Sequence, residues 1–180
     1  MKIENILNET IQGDKEVDFY TPVKIDYPEN DEKEKELFYY RLLNPKSSFV
    51  EVSISSTTKK IVSITVVSIN DITEADNTIL EKVSFLGKTG NPEIDMSLFK
   101  NEHIVTDNIS FNVIRHEKKI YILCDIEDIE RKLTMDNLDI LVDNNNNIVG
   151  YILGGFTEVE WEEINESIDS SIGVAKEYQS

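Results

Sequence analysis

The stretch with the most chemical promise runs from Leu141 to Ile152, LVDNNNNIVGYI. An aspartate followed by a run of asparagines gathers side-chain oxygens, the ligand type that hard divalent cations take. An EF-hand-type loop wants carboxylates or amides at alternate positions, a glycine at the sixth and a bidentate glutamate at the twelfth. Counted from Asp143, Asn145 and Asn147 fit, but the sixth residue is Ile148 and the twelfth is Gly154. Apolar extended segments flank the run on both sides. Asn and Asp also tolerate the positive φ that hairpin turns need. The spacing therefore favours a turn over a metal site, and we expect neither a metal nor another cofactor.

A second candidate is a thiol-imidazole pair built from Cys124 and either His103 or His116. Cys124 alternates with Ile120, Ile122 and Ile126 on one strand face, the pattern of an inert core cysteine. One cysteine and two histidines without short ligand spacing make no zinc set. The sequence contains no G-x-G-x-x-G, no P-loop and no G-x-S-x-G elbow. Gly154 and Gly155 precede a helical pattern whose start is crowded with glutamates. Those glutamates would repel a phosphate and suit the helix dipole instead. Carboxylates are numerous enough for acid-base chemistry, yet no spacing singles out a pair, so no enzymatic activity is expected.

The chain carries 35 Asp and Glu against 18 Lys and Arg in 180 residues, a net charge of −17. Nucleic acids and anionic membranes would repel it, whereas a basic protein would be drawn in by long-range steering. Solubility alone explains the acidity equally well. The carboxylates expected to face a partner are Asp31, Glu32, Glu34 and Glu36 in one charge run and Glu158, Glu160, Glu162, Glu163, Glu166 and Asp169 in another. A single cysteine allows no internal disulfide. No signal-peptide run and no stretch of roughly 20 apolar residues is present, so a cytoplasmic location is expected.

The elements that would position these residues follow from periodicity. Ile3, Ile6, Leu7 and Ile11 recur at helical spacing and predict a short N-terminal helix ending at Gly13. VDFYTPVKIDYP reads as extended, and ENDEKEKE (29–36) as an exposed loop or a helix start capped by Asp31 with Glu34. FVEVSISSTTKKIVSITVV alternates as a hairpin, with FYYRLL as a third strand across NPKSS. Asp71 and Glu74 predict a capped helix with Ile72, Ile79, Val83 and Leu86 on one face. ISFNVIRHEKKIYILCDI predicts a hairpin turning at RHEKK, and LDILVDNNNNIVGYIL another. From Phe156 onward the sequence reads as the strongest helix. Thr157 and Glu160 form a capping box, Phe156 and Trp161 a hydrophobic staple, and Trp161, Ile164, Ile168, Ile172 and Ala175 an apolar face. The expected fold class is α+β, mainly antiparallel β hairpins with an amphipathic C-terminal helix. It forms a single domain over 1–180 or two small lobes meeting near 87–93, where Gly87, Gly90 and Pro92 cluster. SISSTTKKIVSITVV and ILVDNNNNIVGYILGG share the order strand, polar turn, Ile-Val, strand. Duplication would explain this, but a generic hairpin in each half explains it as well and is preferred.

GNPEIDMSLF, then ISFNVIRHEKKIYILCDIEDI, then DNLDILVDNNNNIVGYILGGFTEVEWEEI resembles the layout of bacterial immunity proteins. These are the cytoplasmic antidotes to toxins of contact-dependent and polymorphic systems. The resemblance covers roughly residues 89–164 and implies a small α+β antidote that binds one cognate toxin domain. It carries over no catalytic residue and fixes no binding position. An acidic scaffolding protein and a carboxylate-based or divalent-metal enzyme stay open as alternatives. The oligomeric state is not legible.

Overall fold

The structure is a computed structural model that describes residues 1–9, 11–28, 36–46, 48–75, 77–84, 87–125 and 127–177. The chain forms β1 (Ile3–Leu7), β2 (Asp14–Glu16), β3 (Val23–Asp26), β4 (Leu37–Leu43), β5 (Phe49–Ser55), β6 (Ile61–Ser68) and α1 (Asn77–Ser84). There follow β7 (Lys88–Thr89), β8 (Asn91–Ile94), β9 (Ile104–Asn108), β10 (Asn112–His116) and β11 (Lys119–Leu123). β12 (Arg131–Met135), β13 (Leu138–Val142), β14 (Ile148–Leu153) and α2 (Glu158–Glu177) complete it. The fold is mostly β-sheet with a C-terminal helix, in keeping with α+β.

Two six-stranded sheets run in the orders β2-β3-β6-β5-β4-β9 and β10-β11-β14-β13-β12-β7. They are mixed rather than wholly antiparallel. β9 lies parallel on β4, and β7 parallel on β12. The remaining neighbours in both sheets are antiparallel. Parallel neighbours cannot be joined by a tight turn, which is why hairpin signals in the sequence do not reveal β7 and β9.

The two sheets repeat one topology. β2 to β6 and β10 to β14 occupy the same order with the same directions, and the link between the repeats gives each sheet its parallel edge strand. The irregularity matches as well. Ser53 pairs with Ser63 and Ile54 with Ile61, passing over Val62. Leu141 pairs with Gly150 and Val142 with Ile148, passing over Val149. The shared Ile-Val dipeptide is thus the start of the same bulged strand in each repeat. Generic hairpins do not require a common bulge, since a bulge is a specific departure from regular pairing. The likeness of the two halves therefore extends beyond the hairpin to five strands and a bulge. Even a cross-strand polar pair is equivalent: Arg41 Nε to Glu51 in one repeat, and Thr134 Oγ1 to Asp139 in the other, both at 2.6 Å.

The inner faces of both sheets contribute to one buried cluster that includes Ile25, Val52 and Ile64 from the first and Ile122, Ile140 and Tyr151 from the second. The outer faces differ. In the second sheet Ile114, Tyr121, Leu141 and Ile152 form an apolar surface that packs with Val83, Ile79 and Leu80 of α1. The equivalent positions of the first sheet, by register, are the polar residues Glu16, Lys24, Ser53 and Thr65, of which Glu16 is exposed, Lys24 and Thr65 are half-buried and Ser53 is buried.

Two predicted helices need correction. Residues 3–7 are β1, paired antiparallel with β8. A register shift between Ile3 and Asn5 lets Ile3 and Ile6 both pack on the main cluster. An extra residue in a strand imitates the three-residue spacing of a helix. The second helix begins at Asn77, not near Asp71. The Thr73 N–H donates to Val113 C=O at 2.8 Å, and Asp71 accepts from Lys46 Nζ at 2.7 Å, so the segment follows the sheet edge before it coils. Ile72 packs on the main cluster, apart from Ile79 and Val83. Leu86, Ile126 and the side chain of Ala175 lie outside the described part.

Candidate functional site

The asparagine run is a turn between β13 and β14. One oxygen of Asp143 accepts from the backbone N–H groups of Asn145 and Asn147 at 2.8 and 2.7 Å, and the other accepts from Asn147 Nδ2 at 2.8 Å. Burial alone would raise the Asp143 carboxyl, but these donors outweigh it and hold it below the usual carboxylate range. Asn146 takes φ 66°, as such turns demand. The carboxylate organises its own loop. Among the described residues, no group of three or more His, Cys, Asp or Glu is placed to hold a metal ion.

Cys124 packs against the main cluster, and desolvation pushes its thiol up to about 12. It is therefore protonated at neutral pH, the poor nucleophile expected of a core cysteine. His103 lies 4.9 Å from the Phe38 ring and 3.4 Å from Glu36, while His116 faces Glu117 at 3.7 Å.

The surface that gathers expected residues is α2. Its start is built as the sequence predicts. Glu160 N–H donates to Thr157 Oγ1 at 3.3 Å, Thr157 N–H donates to Glu160 Oε2 at 2.7 Å, and the Phe156 and Trp161 rings stack at 6.2 Å. Ile164 and Ile168 are fully buried. The helix lies between the hairpins of the two repeats. On one side Lys15 of β2 reaches Gly155 C=O and Glu160, and Ser167 Oγ donates to Phe19 C=O at 2.6 Å. On the other, Arg115 of β10 reaches Asn165 and Asp169, and Lys118 reaches Glu158. Covering sheet edges in this way shields them from pairing with other chains.

The structure sorts the ten predicted carboxylates. Asp31, Glu32 and Glu34 lie outside the described residues. Glu36 faces His103. Glu158, Glu160 and Asp169 are paired with Lys118, Lys15 and Arg115. Glu162, Glu163 and Glu166 are exposed and make no ion pair among the described residues. At about 3.6 residues per turn, these three share one outward stripe with Val159, which is 65% exposed.

Beside that stripe stand two residues to which the sequence reading assigned no role. Phe19 and Tyr20 form the tip of the β2–β3 hairpin and are 51% and 85% exposed. Their rings meet edge to face at 5.4 Å. Ser167, which holds the Phe19 carbonyl, lies one helical turn from Glu163. The tip is braced by Asp18 N–H to Thr21 C=O at 3.3 Å and by Tyr20 N–H to Asp18 Oδ1 at 2.7 Å. The available signal was the tetrapeptide Asp-Phe-Tyr-Thr before a proline, adjacent aromatics inside turn chemistry. The equivalent tip in the second repeat is Glu117–Lys118, so topology does not require aromatics there.

Among the described residues, no helix is long and apolar enough to cross a membrane. No protein-family model matches the sequence, and no curated protein matches it.

Proposed function

We propose that this chain is an antidote of the immunity-protein type, which binds a basic toxin domain and blocks its working surface. The supporting observation is the exposed stripe of Glu162, Glu163 and Glu166 beside the Phe19–Tyr20 tip. Exposed carboxylates that make no ion pair among the described residues give long-range attraction to a basic domain, and exposed aromatics supply the apolar anchors that dominate interface energies. The net charge of −17 acts in the same direction. The test is titration with the C-terminal domain of whatever large secreted protein is encoded immediately upstream, the toxin domain this reading requires, at low and high salt. Tight one-to-one binding with association slowed by salt is the expected result. Changing Glu162, Glu163 and Glu166 together to lysine should slow association by about tenfold or more at low salt. Absence of binding, or self-association in its place, would turn the reading toward a scaffolding role.

A further inference from the structure

We infer that the Phe19–Tyr20 tip is an arginine-capturing anchor, which takes a guanidinium group from the surface of a basic protein partner. The inference rests on the proposed function in taking that partner to be basic, and adds which side chain is gripped and where.

The first support is exposure with order. A ring as exposed as Tyr20 contributes little to the core, yet its backbone N–H is held by Asp18, and the preceding carbonyl is held by Ser167. An anchor fixed before binding loses little freedom when a partner arrives. The second is the adjoining cleft, about 390 Å³, lined by Glu16, Asp18, Thr21, Lys24 and Thr65. Lys24, the one cation among the described lining residues, is paired with Asp26 at 2.7 Å, so the carboxylates of Glu16 and Asp18 set the sign of the cleft. The third is the stripe of Glu162, Glu163 and Glu166 on the neighbouring helix, which adds negative charge. Aromatic faces rimmed by carboxylates favour a cation with a planar surface. Guanidinium stacks on the ring and forks onto a carboxylate, while ammonium acts as a strongly hydrated point charge.

The test compares an oligo-arginine with an oligo-lysine peptide of equal length and charge, titrated into the full chain by calorimetry at about 0.3 M salt, where diffuse attraction is screened. The arginine peptide should bind about two- to fivefold tighter. Tyr20→Ala should abolish that preference, Tyr20→Phe should keep it, and Glu16→Gln should weaken both peptides together. Equal affinities, or a preference that survives Tyr20→Ala, would overturn the inference. Tyr20 is too exposed for its removal to unfold the chain, which circular dichroism checks. Titrating the toxin domain separates the two claims. Binding that is indifferent to Tyr20→Ala ends the arginine anchor and leaves the antidote reading standing. Failure of the domain to bind wild-type protein ends the antidote reading, while the peptide preference still decides the anchor.

Discussion

Replacing Glu160 by glutamine tests the construction of α2. Glu160 accepts from Thr157 N–H at 2.7 Å and faces Lys15 Nζ at 3.3 Å, with only 15% and 27% of the Lys15 and Glu160 side chains exposed. Glutamine keeps an oxygen for the Thr157 N–H but loses the charge. An ion pair of this exposure is worth about 0.5–1 kcal/mol, and a carboxylate in the first helical turn about 0.3–1 kcal/mol. Glu160→Gln should therefore cost about 1–2 kcal/mol at pH 7, read by urea denaturation. The backbone N–H of Thr157 first, with the Thr157 side chain and Lys15 after it, holds the Glu160 carboxyl below its ordinary value against the opposing effect of burial. A depressed folded pKa contributes stability that is complete above the unfolded pKa and lost as pH falls through the folded one. The gap between wild type and Glu160→Gln should stay constant from pH 7 to about 5.5 and close below about 4.5. Thr157→Ala should cost about 1 kcal/mol, and its effect should not add fully to that of Glu160→Ala, because the two residues serve one box. A Glu160→Gln gap that persists unchanged at pH 3 would refute the charge argument, and full additivity would refute the box.

Other outcomes follow from single positions. Gly150→Ala should destabilise more than Gly155→Ala, because its Cβ would lie 2.6 Å from the backbone oxygen of Ile122 in the β11–β14 ladder. At Gly155, with φ +71°, the obstacle is the movable side chain of Asn137, leaving mainly a left-handed backbone penalty of about 1–2 kcal/mol; thermal melts rank the pair. Asp143→Ala should cost about 1–3 kcal/mol by releasing the turn's N–H donors, and no shift in melting temperature on adding calcium should accompany the wild-type turn. Cys124 should resist iodoacetamide in the folded protein at pH 8 and react once denatured, as mass spectrometry would show, since its thiol is pushed up to about 12.

The sequence by itself determined the features whose causes are local. The hairpins β5–β6, β10–β11 and β13–β14 follow from period-two alternation bounded by turn residues, and the Asp143 turn from residues that accept positive φ. The start of α2 follows from Thr157, Glu160, Phe156 and Trp161, whose interactions span a few residues. Only the tertiary structure decided what depends on distant partners. β1 is a strand because β8 pairs with it, although its spacing imitates a helix. β7 and β9 become parallel edge strands with no turn to announce them. The equivalence of the repeats lies in strand order and a shared bulge, while side-chain identity is low. The surface was settled in the same way. Sequence marks Glu158 to Asp169 as one acidic run, but Lys15 of β2, Arg115 of β10 and Lys118 of the β10–β11 turn supply the cations that pair with Glu160, Asp169 and Glu158. Which of these carboxylates stay exposed without an ion pair among the described residues, and which loop stands beside them, is fixed only when chain segments distant in sequence meet, as Ser167 and Phe19 do.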